Sequence, residues 1–302
     1  MSVRSGARGY ILRAACVVAG GALVLTGCTK NSESNAPTVA KVEVSKVDSL
    51  AAQVPDKVKQ AGKLVVGVNL PYSPNEFKDP STGKIVGFDV DLMNAVAATL
   101  GLTGDYQEAD FEKIIPSIQA GTFDLGMSSF TDNTDREKSV DFVDYFSAGS
   151  QWAQQVGKPV DPNNACGKKV AVERTTTQET DELPAKSKAC TDAGKPKIDI
   201  VAFDEQSAAA NALVLGQVDA FSADSPVTAY AVKQNTGKIE LDGQIFSSAP
   251  YGWPVAKGSA LGPVLQAAVQ HLMDDGDYKK ICQNWGVEAG AITKSVINGA
   301  KG

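Results

Sequence analysis

The chain has one histidine, His271, in 302 residues, and only five cysteines. A single histidine makes Ser-His-Asp and Cys-His catalytic sets and His-rich metal sites poor expectations, because each needs an imidazole beside its nucleophile or metal. No metal or cofactor is expected. Long apolar runs are missing too: none reaches the roughly 20 residues that a membrane-spanning helix needs. Positive charge is scarce, with 29 Lys and Arg against 35 Asp and Glu, a formal net charge of −6. Nucleic-acid binders usually carry a basic stripe, so no nucleic-acid partner is expected. Hydrophobic residues at 43% and charged residues at 21% are ordinary for a globular chain, which excludes collagenous, coiled-coil and wholly disordered architectures. At about 150 residues per domain, the length suggests two folding units.

Arg4, Arg8 and Arg13 lead into Ala14 to Leu25, a run of apolar and small residues. It is too short to span a bilayer but suits the core of a signal peptide. It ends in Leu25-Thr26-Gly27-Cys28, which resembles a bacterial lipobox. That resemblance implies a lipoprotein signal peptide over 1–27. Cys28 would be acylated (palmitate-type chains) and become the new N-terminus, holding the protein to the outer face of the cytoplasmic membrane. Thr29 to Ser49 is polar and lacks helical or strand periodicity. We expect a flexible tether over 28–60; twenty such residues have an r.m.s. span of about 25 Å.

Export bears on the remaining cysteines. Cys166 precedes an expected strand, 169–172, and Cys190 closes the helix expected after it. In an oxidising compartment the pair is expected to form a disulfide. Cys282 falls in an amphipathic helix and reads as a buried free thiol.

From residue 63 onward, strands and helices alternate. Strands are expected at 63–68, 105–107, 124–128, 140–146, 151–156, 169–172, 198–201, 219–222 and 252–255. Helices are expected at 89–100 with Asp89 as N-cap, 110–119, 176–188, 205–215, 225–233, 260–274 and 277–285. This is an α/β pattern with largely parallel sheets between helix layers. In such sheets ligands sit beyond the carboxyl ends of the strands. That directs attention to Asn69–Tyr72, Ser128–Arg136, Arg174–Thr177 and Ser222–Asp224.

Five blocks, in order, resemble the family 3 extracellular solute-binding proteins, the polar amino-acid receptors of ABC importers. They are Gly87–Leu92 (GFDVDL), Gly121–Lys138, Val170–Glu179 (VAVERTTTQE), Val218–Ser225 (VDAFSADS) and Asp275–Gly286 (DGDYKKICQNWG). The resemblance implies a two-lobed type II periplasmic-binding-protein fold with two hinge strands. One lobe would be 61–147 plus 250–297, the other 148–249, with crossovers near 147–150 and 247–250. It also implies a monomer that takes a free amino acid between the lobes and passes it to a permease and ATPase supplied in trans. The alternative of another class is an exported lyase of the cyclohexadienyl dehydratase type on the same fold. A lyase needs a general acid or base in the cleft, and no strand-end loop carries a histidine, so an enzyme is not expected.

Residue by residue, Arg136 matches the family's carboxylate-binding arginine, suited to a bidentate clamp. Read without the family, it is a surface arginine paired with Asp132 or Asp135. Ser129 and Thr131 match the supporting donors. Thr176, at the opening of an expected helix, would add an anion donor from the second lobe. Asp224 matches the acid that binds the ligand ammonium; alternatively it is an N-cap before Ser225-Pro226. Tyr72 and Phe111 match aromatic walls. Departures from the family pattern are Asp132-Asn133 and Thr175, the latter where members commonly carry glycine. Asn69 stands where binders of cationic amino acids usually carry an acid, and Asn75 replaces a usual aromatic. Both point to a neutral polar ligand such as glutamine or asparagine. Against this, Glu173 could face a cationic side chain, or Arg174 an acidic one; strand alternation puts only one of the two toward the cleft.

Overall fold

The computed structural model describes residues 40–300; the signal segment, Cys28 and the start of the tether lie outside the described residues. The strands are β1 (Lys63–Val68), β2 (Phe77–Lys78), β3 (Ile85–Val86), β4 (Thr103–Glu108), β5 (Leu125–Gly126), β6 (Val140–Gln155), β7 (Lys169–Glu173), β8 (Asp199–Phe203), β9 (Ala220–Asp224) and β10 (Ile239–Ala256). Eight of them run β4-β1-β5-β10-β6-β9-β7-β8 across one continuous sheet, while β2 and β3 form a separate hairpin. β1 pairs in parallel with β4 and β5, and β7 with β8 and β9. Parallel strands are covered on both faces, which suits the Val-rich runs of β1 and β7. Each parallel trio anchors one lobe.

Between the trios lie β6 and β10, antiparallel and 16 and 18 residues long. The sequence suggests two separate segments, 140–146 and 151–156, and a short last strand at 252–255. The structure instead carries β6 and β10 straight through, because their ladder continues across the small residues between the lobes. It continues irregularly, with register shifts between Asp242 and Phe246 and between Phe246 and Ala249. Ser247 there holds φ +52°. At Gly149 a Cβ would lie 2.5 Å from the Phe246 carbonyl oxygen, so only glycine lets the strands approach at this crossing.

Each lobe has its own core. In the first, Val66, Leu92, Met93, Val96 and Leu265 pack among β1 and the helices Phe88–Thr99 and Leu261–Asp275. In the second, Ala171 and Phe221 face one layer while Val170, Val172 and Trp152 face the other, the alternation a strand imposes. Helix Phe88–Thr99 is buried nearly all round rather than along one stripe. Asp89 is not its cap. Gly87 holds that position with φ +144°, and a Cβ there would sit 1.9 Å from the Asn75 carbonyl oxygen. Asp89 is wholly buried in the first turn and accepts hydrogen bonds from the Tyr145 hydroxyl and Trp253 Nε1. The helix expected from residue 176 also starts later. Gln178–Glu182 forms a wide turn, and the α-helix proper is Leu183–Asp192. Pro184 explains this, since it lacks the N–H that would continue the ladder and its ring crowds the carbonyl four residues back.

Cys166 and Cys190 are joined, tying the approach to β7 to the end of helix Leu183–Asp192. Cys282 is a buried free thiol, and burial pushes its pKa up to about 12. Replacing both joined cysteines by serine should lower the unfolding free energy by about 3–4 kcal/mol, the chain-entropy value for a loop of this length. Denaturant titration of the double variant against the oxidised protein measures it, and an unchanged midpoint would count against a structural bridge.

Candidate functional site

The carboxyl ends of β1, β5, β7 and β9 and the loops that follow them converge on a narrow space between the lobes. Tyr72, Phe111, Ser129, Thr131 and Arg136 line it from the first lobe; Glu173, Thr176, Thr177, Gln178 and Asp224 line it from the second. Of the eight residues read from the sequence as ligand contacts, Asn69 alone is absent from this lining. Its Nδ2 donates to the Ala109 carbonyl and its amide N–H to Ser128 Oγ. Asn75 is no wall either: it is buried beneath the loop, with Nδ2 donating to Ser129 Oγ at 2.8 Å.

Arg136 opens a short 3₁₀ turn, its N–H donating to Asn133 Oδ1. Its guanidinium lies 5.6 Å from the Phe111 ring centroid and 5.5 Å from that of Phe130, and the two rings stack 4.3 Å apart. Nη1 donates to the Thr131 carbonyl and Nη2 to the Thr175 carbonyl across the cleft, leaving further N–H donors to spare. Asp135 pairs with Lys138 instead, and Asp132 turns the other way. Burial pulls the Arg136 pKa down, while Asp224 and Asp181 act against the shift. The guanidinium is a desolvated cation set beside two stacked aromatic rings, with donors suited to a planar anion.

Asp224 stands at the N-cap of helix Ser225–Gln234 but makes no side-chain cap bond. Its Oδ2 accepts from the Tyr72 hydroxyl at 2.6 Å and its Oδ1 from Gln178 Nε2 at 2.9 Å. Burial raises its pKa, and these donors and Arg136 oppose the rise. Gln178 also donates to Ser150 Oγ. The sequence reading passed over Gln178, whose only signal was its place just after the threonine run. Thr175 takes φ +61° although it is not glycine. The Glu179 carboxylate accepts its N–H and Arg136 donates to its carbonyl, so neighbours hold the strained backbone. Thr176 does not open a helix; its hydroxyl donates to the Glu173 carbonyl at 2.7 Å.

Alternation at the end of β7 puts Glu173 in and Arg174 out. Arg174 is 47% exposed and paired with Asp204 at 2.9 Å. Glu173 is 1% exposed, and its Oε1 has no hydrogen-bond partner among the described residues. Burial pushes the Glu173 pKa well up, and Asp224 and Glu205 add to it. Such an acid is costly unless a donor or cation reaches it.

A buried acid pair lies behind the loop 128–132. Asp132 and Asp144 are both 1% exposed, and none of their four oxygens has a well-formed hydrogen bond among the described residues. Burial raises both, Asp132 to about 6 and Asp144 to about 8, with Glu137 adding to the first and Asp132 to the second. The folded state therefore holds protons that the unfolded chain releases above its ordinary value of 3.8. Stability should fall as pH rises from that value to about 8. Asp144→Asn should flatten this slope and raise the neutral-pH melting temperature; equal slopes in the two proteins would refute the proton held by Asp144.

Fold and site together define a two-lobed trap for a small charged solute. The family model for the bacterial extracellular solute-binding proteins, family 3, matches residues 64–288, and the chain belongs to that family. It is 44% identical over 277 residues to the arginine-binding protein ArgT of Corynebacterium glutamicum, covering 91% of each chain. It is 32% identical to the ABC transporter glutamine-binding protein GlnH of Bacillus subtilis, over 80% of this chain and 85% of that one. Among solved structures it resembles an ancestral arginine-binding protein bound to arginine. The TM-score is 0.68 at 36% identity, covering 74% of this chain and 98% of that one. These relatives are named as binding proteins, and the protein is a binding protein of the extracytoplasmic space rather than an enzyme.

Proposed function

We propose that the protein captures arginine between its lobes and delivers it to the permease and ATPase of an ABC importer. The observation that carries this reading is Glu173, a buried carboxyl with an unpartnered oxygen on the wall of the cavity. Arg136, with Ser129 and Thr131, would take the α-carboxylate. Asp224, already set by Tyr72 and Gln178, would take the ammonium. Glu173 would take the guanidinium. The preference for a neutral polar ligand rested on Asn69 and Asn75, and both are used up inside the protein. ArgT, the relative at 44% identity, is named for a cationic ligand, while GlnH at 32% is named for glutamine.

In this reading one lobe is 61–147 plus 250–297 and the other is 148–249, with β6 and β10 as the hinges. The protein acts as a monomer held by lipid on Cys28 and a tether shorter than the 28–60 expected from the sequence, because helices Asp48–Ala51 and Asp56–Ala61 are folded onto the first lobe, with Val54 and Val58 buried in its core. No helix among the described residues is long and apolar enough to cross a membrane.

Titration calorimetry with arginine, lysine and glutamine tests the ligand. Arg136→Ala should abolish binding of all three. Glu173→Gln should weaken arginine by about 2–5 kcal/mol, since it leaves a desolvated cation unpaired, and should affect glutamine far less. If wild-type protein bound glutamine and not arginine, the cationic reading would be wrong and the neutral one restored. Mass spectrometry of protein from the native envelope should find Cys28 as an acylated N-terminus; an unmodified Cys28 would remove the anchor.

A further inference from the structure

Ser129 leaves β5 with a left-handed backbone, φ +49°, which a residue other than glycine holds only where its neighbours over-determine it. Those neighbours are a buried polar layer under the ligand loop. Asn75 Nδ2 donates to Ser129 Oγ. Glu76 lies on the other side of the same hydroxyl, with Oε1 at 3.2 Å and Oε2 at 3.3 Å, and Ser128 Oγ is 3.4 Å from Oε1. Asn75 and Glu76 are both wholly buried. Next to them stands Asp89, which receives the Tyr145 hydroxyl and Trp253 Nε1, with the Ser129 amide also directed at it. Asp89 thus gathers three donors, while Glu76 meets only hydroxyls. Burial raises Asp89 too, to about 7, but its three donors oppose the rise, so of the two desolvated acids Asp89 gives up its proton first and Glu76 keeps its own. Burial drives the Glu76 pKa well above the carboxylate range, and the charges of Asp89 and Glu173 push it further.

A hydroxyl has one hydrogen and two lone pairs. Asn75 fills one lone pair of Ser129 Oγ. An ionised Glu76 would take the only hydrogen, leaving the hydroxyl nothing to donate to an anion. A neutral Glu76 fills the second lone pair with its own O–H, and the Ser129 hydrogen is then released from Glu76, to be shared between the neighbouring Tyr145 hydroxyl and a ligand. We propose that Glu76 is a positioning residue that works as the neutral acid, donating to Ser129 Oγ so that this hydroxyl donates to the ligand carboxylate. The proposal rests on the reading that Ser129 meets an amino-acid carboxylate, which arginine and glutamine share. It assigns a task to Glu76, a residue that the sequence reading did not single out.

The groups facing Glu76 are Asp89 from helix Phe88–Thr99, Glu173 from β7, Tyr145 from β6 and Tyr72 from its own loop. The ligand ammonium titrates in both wild type and Glu76→Gln, while Asp89 and Glu173, whose charges act on Glu76, shift with it, so the pH difference between the two proteins reports Glu76 together with the acids coupled to it. Dissociation constants for arginine and for glutamine are measured from weakly acid to alkaline pH in wild type, Glu76→Gln, Glu76→Ala and Ser129→Ala. Wild-type affinity should fall as pH rises through the Glu76 pKa. Glu76→Ala and Ser129→Ala should each bind about tenfold more weakly at neutral pH, the cost of one hydrogen bond to a charged group. Glu76→Gln, whose amide N–H still donates to Ser129, should restore affinity to within about threefold and lack the extra pH-dependent loss. Independently of any ligand, the infrared spectrum at neutral pH should show a protonated-carboxyl stretch in wild type that Glu76→Gln lacks. Absence of that band would overturn the proposal. So would Glu76→Gln binding as weakly as Glu76→Ala, or identical pH profiles in wild type and Glu76→Gln. If wild type bound neither amino acid, the functional reading would fail, and the infrared band would still decide the protonation of Glu76.

Discussion

A carboxylate taken out of water must be met by donors, and Asp224 is met from both lobes at once. Tyr72 reaches it from the first lobe and Gln178 from the second, while Arg136 crosses the cleft to the Thr175 carbonyl. Those groups stay together only while the lobes stand where β6 and β10 hold them. The cost of burying charge therefore ties site geometry to lobe geometry: opening the cleft separates Tyr72 from Asp224 and returns both to water. A solute that brings its own carboxylate and ammonium adds partners to Arg136 and Asp224, so binding and closure favour each other.

The floor of the cavity follows the same logic one layer down. Glu76, Asp89, Asp132 and Asp144 are all buried acids grouped around the loop 128–132. Asp89 ties helix Phe88–Thr99 to β6 and β10 through Tyr145 and Trp253. Asp144 lies under the C-terminal segment, where Ser295 Oγ donates to its carbonyl and its own N–H donates to the Val296 carbonyl. An acid layer of this kind sets where protons reside, and through Ser129 and Thr131 it adjoins the surface that the solute meets. Asp132, a departure from the family pattern, belongs to this layer rather than to the cavity wall.

Much of the architecture was legible along the chain. Strand and helix alternation, glycine stops and the order of the five blocks identify an α/β protein of this family, and the strand-end rule points to the loops that line the cavity. Seven of the eight ligand-site residues read from the sequence, Arg136, Asp224, Ser129, Thr131, Thr176, Tyr72 and Phe111, do meet around one space. Asn69 does not, because its amide is taken by Ala109, a contact between loops 40 residues apart that no local pattern records. Gln178 and Glu76 were passed over for the same reason: each acquires its role from partners on other strands.

What the sequence determined by itself is local and periodic: which stretches form most strands and helices, where glycine and proline stop them, and that Glu173 and Arg174 take opposite sides of β7. These follow from backbone sterics and from the two-residue repeat of a strand, which need no distant partner. What only the tertiary structure decided is which face becomes the cleft and which carboxyls lose their water there. That β6 and β10 run unbroken between the lobes, that Thr175 holds a left-handed backbone, and that Glu173 is left with an unpartnered oxygen on the cavity wall all depend on groups far apart in the chain. A charge acquires its chemistry from what surrounds it in space, and that surrounding exists only once the lobes are folded.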